Sequence, residues 1–360
     1  MTGEVFLTGA TGYIGAGLLQ KWLTSTDTTL NLLVRGKRGV DPLDRISLVL
    51  MELFPETDPD RFTDRIRIVA GDVAEELFGL DECAYRDLAA RTSRIIHCAA
   101  AARFDLEIEE ARKTNVGGTR NILDFARECR SLEKIDYIGT AYVAGRRTGI
   151  VTEDELDEGQ RHNNTYEESK FEAEKLVRES FGELPVAILR PSIVICDSRT
   201  GRASSFNGFY RALRMYWHGL LKFLPGDPSS PLDLVPVDYV TDATHAISHC
   251  ADSVGECYHL AAGPNNPTTL GEISELAGRY FKKEKFTVIP PGEFTAFVSK
   301  MGDRLSDNER GMIGEIQLYT PYLTGGLLFD DSHTRRDTGF GSPPVREYFG
   351  KIAEYIMTHE

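Results

Sequence analysis

The chain has 360 residues, 41% of them hydrophobic and 27% charged, with a formal net charge of −14. That is enough apolar material for a full core in one large domain or two unequal lobes, and the acidic balance argues against a general nucleic-acid or anionic-membrane surface while leaving room for local basic patches. No apolar run approaches the roughly 20 residues of a membrane-spanning helix, and the six cysteines (Cys83, Cys98, Cys129, Cys196, Cys250, Cys257) are scattered without a CxxC pair. With no secretory signal ahead of the first strand, a reduced, cytoplasmic protein without a metal site is expected.

Near the start, the short apolar run Val5-Phe6-Leu7 is followed by Thr8-Gly9-Ala10-Thr11-Gly12-Tyr13-Ile14-Gly15, which opens a helical pattern. Strand, glycine turn and helix N-terminus in that order form a dinucleotide-phosphate cradle. Glycine is needed where the turn takes positive φ, where backbone approaches the pyrophosphate, and where helix packs on strand. Further buried strands are predicted at Leu30 to Val34, Ile66 to Val69, Ile95 to His97, Ile135 to Ile138 and Val186 to Leu189, with helical patterns between them. Alternation of this kind means βαβ units and a doubly wound parallel α/β sheet of the Rossmann type, with its ligand at the carboxyl ends of the strands. The end of the second strand discriminates between nicotinamide cofactors, because a carboxylate there would bind the ribose 2′-hydroxyl of NAD. Arg35 stands in that place with Lys37 and Arg38 beside it, and no carboxylate occurs until Asp41. Positive charge and planar donors suit a 2′-phosphate, so NADP(H) is expected.

The chemical signature comes later. Tyr166 and Lys170 lie at i and i+4 of a helical pattern and share one face. An adjacent ammonium stabilises a phenolate, so Lys170 is expected to lower the pKa of Tyr166 toward a range useful for carbonyl chemistry. Thr140, at the end of the strand-like segment Tyr137-Ile138-Gly139, offers a hydroxyl at the same edge of the sheet. The run Glu153 to Glu158 reads as a solvated acidic loop without function. After Arg190-Pro191 the regularity dissolves into Gly- and Pro-rich stretches such as 224–228 and 263–267, so a smaller, less regular C-terminal substrate lobe is expected over 191–232 and 263–360. The dinucleotide-binding domain then covers 1–190 and also receives 233–262. Within 209–224, Arg211, Arg214, His218 and Lys222 recur at helical spacing opposite Leu213, Trp217, Leu220 and Leu221. That pattern reads either as a cationic landing face or as the solvated side of an amphipathic helix.

Taken together, TGATGYIG, Gly71-Asp72-Val73, Ile96-His97-Cys98-Ala99-Ala100, Asn115-Val116-Gly117-Gly118-Thr119, Thr140, Tyr166 with Lys170, and Arg190-Pro191-Ser192 resemble the extended short-chain dehydrogenase/reductases in order and spacing. The resemblance implies that Asp72 and Val73 flank the adenine and that the stretch from His97 through Ala99 and Ala100 lines the cofactor, up to Pro191 on the other side. It also implies that Asn115 organises the site and a proton path, that Lys170 binds the nicotinamide ribose as well, and that Tyr166 and Thr140 address the reacting carbonyl. For His97 and Asn115 the alternative is that they fix strand and helix ends. The phrases IIHCAAAARF, GTAYVAG and DLVPVDYV resemble more closely the male-sterility-like branch, which holds fatty acyl-CoA reductases and terminal thioester reductase domains. Cys196 departs from that branch, standing where a glycine usually follows RPSIV.

What this branch implies is NADPH-dependent reduction of an acyl thioester to an aldehyde, and possibly on to an alcohol, the acyl group arriving in trans on CoA or on an acidic acyl or peptidyl carrier protein. Two other functions stay open: an NADP-dependent reductase or dehydrogenase of a free aldehyde, ketone or nucleotide sugar on the same Thr-Tyr-Lys frame, and a regulator that binds NADP without turnover. Oligomeric state is not indicated.

Overall fold

The computed structural model describes residues 3–37, 39–56, 59–203, 208–301 and 306–359. Its centre is a seven-stranded sheet of β1 (Glu4–Thr8), β2 (Leu30–Val34), β3 (Ile66–Ala70), β4 (Thr92–His97), β5 (Lys134–Ile138), β6 (Val186–Pro191) and β7 (Cys257–Leu260). The order across the sheet is β7-β6-β5-β4-β1-β2-β3, parallel throughout. All six predicted strands form, and the seventh comes from the later part of the chain. The order reverses between β1 and β4, which places the ligand crevice at their carboxyl ends.

The helices that shape the site are α1 (Tyr13–Ser25), α2 (Pro42–Leu53), α3 (Gly118–Glu128), α4 (Thr165–Glu179), α5 (Gly208–Trp217), α6 (Val237–His249), α7 (Leu270–Phe281), α8 (Asp307–Thr324) and α9 (Val345–His359). Strand alternation feeds two layers. Val5 and Leu7 pack with Leu18 and Trp22 of α1 and with Val240 and Ile247 of α6. Phe6, between them in sequence, points the other way, against Phe125 of α3 and Val177 of α4. A third apolar cluster belongs to the C-terminal region, where Leu213 and Tyr216 of α5, Ile273 of α7, Phe349 of α9, and Phe286 in the segment after α7 pack together. That region is more helical than its sequence led us to expect, and its Gly- and Pro-rich stretches are turns between helices and two- or three-residue strands. Cys196 is 1% exposed in this cluster, its carbonyl accepting from Val237 N at 2.7 Å.

One buried ion pair ties the sheet to α4. Arg190 at the end of β6 and Glu174 of α4 are 1% and 0% exposed. The guanidinium donates to both carboxylate oxygens, at 3.0 and 2.6 Å, and also to His259 Nε2 and the Glu155 carbonyl. The neighbouring acidic run is solvated at Asp154, Asp157 and Glu158, as expected, but not at its first member. Glu153 is 1% exposed, and its carboxylate accepts from the backbone N–H groups of His259 and His333 at 2.8 and 2.6 Å. A charge run in sequence does not reveal that another segment will surround one of its members with donors.

Candidate active site

The turn after β1 shows why its glycines are where they are. Gly9 has φ +78°, and a Cβ there would stand 2.7 Å from the Ala99 nitrogen on the end of β4. A Cβ on Gly15 would stand 2.1 Å from the Gly9 carbonyl oxygen, so α1 could not pack so closely on the turn. Gly12 N donates to that carbonyl at 2.8 Å. Gly12 is the N-cap of α1 and supplies no side-chain acceptor, which leaves first-turn N–H groups to an anion. This cradle fits a dinucleotide pyrophosphate.

Beneath it, the Thr8 hydroxyl accepts from Ala99 N at 3.1 Å and pairs with His97 Nδ1 at 2.9 Å. His97 Nε2 meets the Thr119 hydroxyl at 3.3 Å, and Thr119 donates to the Asn115 carbonyl at 2.6 Å. Burial, aided by the charge of Lys170, lowers His97 to about 3, so it is neutral and bonded on both ring nitrogens. Those two bonds brace the strand end under the turn. Asn115 is 1% exposed. Its amide bonds both backbone groups of Ala101 and donates to Ser169 Oγ at 2.9 Å, stitching the strand-end loop to α4 one residue before Lys170.

Past the ends of β2 and β3, Arg35 pairs with Asp72 at 3.1 Å, and Val73 is buried against Gly118. Lys37 is exposed, with its backbone paired to Val40; Arg38 lies outside the described residues. Sequence reasoning missed Arg45, on the first turns of α2. Its guanidinium donates to the Arg35 carbonyl at 2.6 Å and to the Thr11 hydroxyl at 2.7 Å, joining the glycine turn to the basic loop. The signal was available, since Asp41-Pro42 marks a helix start and Arg45 lies three residues inside it.

At the reacting end, Asn164 caps α4 by accepting from Glu167 N at 3.0 Å, and one helical face presents Tyr166 and Lys170. Lys170 is 2% exposed. Its ammonium donates to the Ile138 carbonyl at 2.9 Å and lies 4.3 Å from the centre of the Tyr137 ring. Burial pulls it down to about 8, with Cys98 and Glu174 opposing. Tyr166 departs from expectation. Burial pushes its phenol up to about 12, and the hydrogen bond with Thr140 is what opposes that shift. The Thr140 hydroxyl also reaches the Pro191 carbonyl at 3.5 Å and accepts from Tyr142 N at 3.3 Å. Glu167 and Tyr322 were not singled out from sequence; the Tyr322 hydroxyl of α8 donates to Glu167 and accepts from Asn164, fastening the C-terminal region to the start of α4.

A single cavity of about 460 Å³ joins these parts. Gly12, Tyr13, Ile14, Gly15, Ala100, Thr140, Tyr166 and Lys170 line one end, and beyond them it runs between Ile193, Leu213, Leu232, Ile273 and Phe286 into the C-terminal cluster. The cationic stripe expected on one helix does not form. α5 ends at Trp217, and Gly219 at φ +76° turns the chain away, so His218 and Lys222 leave the face of Arg211. Arg211 itself pairs with Glu315 of α8 at 2.5 Å.

The strand order, the glycine cradle at the switch point and the Tyr166–Lys170 helix beside Thr140 are those of an extended short-chain dehydrogenase/reductase. Residues 7–244 match the profile of the male sterility protein family of NAD-binding domains, and the chain belongs to that family. It is 26% identical to a putative fatty acyl-CoA reductase of Drosophila melanogaster, over 81% of this chain and 60% of that protein. With fatty acyl-CoA reductase 1 of Rattus norvegicus it shares 28% identity over 82% of this chain and 65% of the other. The chain therefore spans somewhat under two thirds of the length of these relatives. The terminal R domain from the myxalamid PKS-NRPS biosynthetic pathway superposes with a TM-score of 0.84 at 29% identity, covering 100% of this chain and 92% of that one.

Proposed function

We propose that the protein is an NADPH-dependent reductase that converts an acyl thioester, carried on CoA or on a carrier protein, to an aldehyde. The observation that carries this reading is the cavity itself. It leaves Thr140 and Tyr166 and continues into apolar walls, where an acyl chain is stabilised by about 25 cal/mol per Å² of surface removed from water. A nucleotide sugar in the same place would find one guanidinium, Arg211, already paired with Glu315, and would otherwise bury phosphates and hydroxyls against apolar side chains, at a cost of several kcal/mol. The two fatty acyl-CoA reductase relatives agree with the apolar reading.

When bound, NADPH supplies the hydride. Gly9, Gly12 and Gly15 would hold its pyrophosphate, Asp72 and Val73 its adenine, and Lys170 its nicotinamide ribose. The protein's own contribution is to the oxygen of the carbonyl. With its pKa pushed up to about 12 by burial, Tyr166 carries its proton at neutral pH and donates a hydrogen bond where negative charge develops. Thr140 supplies a second donor from the strand end. Lys170 keeps the region positive with two donors remaining after the one on Ile138. Purified protein incubated with NADPH and a panel of acyl-CoA thioesters, acyl-pantetheines, aldehydes and ketones should yield aldehyde or alcohol from the thioesters. Turnover of free ketones or nucleotide sugars in their place would select the alternative.

The preference for NADPH is supported by Arg35 and Arg45. Burial and the charge of Arg35 both lower Arg45, a like-charge strain that a phosphate between the two would relieve. Arg45→Ala should weaken NADPH binding about tenfold to a hundredfold, the worth of one charge-assisted hydrogen bond, and change NADH affinity about twofold or less. Titration of both cofactors decides, and a wild-type preference for NADH would reject the assignment.

A further inference from the structure

A second cavity of about 180 Å³ backs onto the first. Tyr142 and Tyr322 line both, and their rings meet edge to face at 4.9 Å, so this aromatic pair is the partition between them. The chemistry on its two sides differs. Beyond the catalytic end the walls of the large cavity are apolar apart from the Arg211–Glu315 pair, whereas the small one sets Arg146, Arg147, Thr148 and Asn163 beside Pro231, Pro321 and Leu327. Arg147 is paired with Glu155 at 3.1 Å. Arg146 is exposed and, among the described residues, makes no ion pair. Its position is fixed by backbone: Gly145 has φ +59° with a would-be Cβ 2.3 Å from the Arg161 carbonyl oxygen, and Arg146 N donates to that oxygen at 2.8 Å. In a chain of net charge −14, a guanidinium without a carboxylate on the wall of a cavity is suited to recognise an anion.

We propose that this alcove holds the phosphate end of a phosphopantetheine arm, whose thioester reaches Thr140 and Tyr166 across the Tyr142–Tyr322 partition while the acyl chain enters the apolar cavity beyond. The inference rests on the thioester reading above. The spacing is suitable. Thr140 caps the single 3-10 turn Ala141–Ala144 that leads to Arg146, a rise of about 8 Å at ~2 Å per residue, to which the arginine side chain adds its own length. About thirteen bonds separate sulfur from phosphorus in the arm, roughly 15 Å when extended. Tyr322 is pinned by hydrogen bonds to Asn164 and Glu167, whereas the Tyr142 ring is held by edge-to-face contacts with Tyr322 and Phe329, so the arm requires Tyr142 to turn aside from both.

The test compares octanoyl-phosphopantetheine with octanoyl-pantetheine, which lacks the phosphate, in the full chain with NADPH. Wild type should favour the phosphorylated substrate about tenfold in kcat/KM, the worth of a charge-assisted hydrogen bond. Arg146→Ala should bring that ratio near one and Arg146→Glu should invert it. The same variants should weaken octanoyl-CoA and octanoyl-carrier protein alike, since both present this phosphate. Absence of a preference in wild type, its persistence in Arg146→Ala, or a loss confined to the carrier-bound substrate would each overturn the alcove assignment. Failure of wild type to oxidise NADPH with either octanoyl thioester would overturn the thioester reading itself, a separate result.

Discussion

Tyr166→Phe is expected to lower kcat/KM for thioester reduction by about 100- to 10,000-fold, the range for loss of a positioned proton donor, while NADPH binds with unchanged affinity. The substitution removes one oxygen and leaves the ring, which stands 5.9 Å centre to centre from Phe104, so packing is retained and the loss falls on chemistry. The carbonyl oxygen would keep Thr140 as its single hydroxyl donor. Because the phenol is pushed up to about 12 by burial, Tyr166 stays protonated across the physiological range and contributes no alkaline limb to the pH profile there. Lys170 is the group that titrates. Desolvation disfavours its ammonium and brings it to about 8, so the proton is present below that pH and is lost as pH rises through it. The free-enzyme profile of kcat/KM should therefore fall on the alkaline side near pH 8. Retained turnover in Tyr166→Phe, measured by NADPH oxidation and product mass, would remove the phenol from the mechanism.

The parts of the site that were legible in sequence are those set by local geometry. The glycines of residues 9–15 are required by a turn and a helix packed on it, and Tyr166 and Lys170 share a face because four residues make about one helical turn. What could not be read depends on long-range partners. The expected lowering of the Tyr166 phenol by Lys170 assumed that the ammonium dominates, whereas in the fold it donates to Ile138 and burial controls the phenol. Glu153 looked like one carboxylate among several until His259 and His333 brought backbone donors to it. The cations after Phe209 had helical spacing, but Gly219 ended the helix before two of them could join the face. Arg45 acts through a side chain that reaches from α2 back to the first turn, 34 residues earlier.

Glu174→Ala should cost about 3–5 kcal/mol of folding stability, the penalty for leaving one member of a buried ion pair without its partner. Arg190 is 1% exposed and cannot shed its charge, so the loss is a desolvated cation rather than a missing contact. Its remaining partners, His259 and two backbone carbonyls, are neutral. Burial pushes Glu174 up, but the Arg190 and Arg178 guanidiniums outweigh it and hold the carboxyl below its ordinary value. The stability from that depression is present above the unfolded value near 4.3 and is lost as pH falls through the folded one, so the gap between wild type and variant should narrow in acid. An exposed pair gives the comparison: Arg127 and Glu183 are 41% and 54% exposed, and Glu183→Ala should cost about 1 kcal/mol or less. Urea unfolding at neutral pH measures both. The pair also links the end of β6 to the helix that carries Tyr166 and Lys170, so Glu174→Ala should lower kcat as well as stability. Equal small losses at the two sites would mean that His259 and the carbonyls suffice for Arg190, and the ion pair would then have no special part in holding the Tyr166 helix against the sheet.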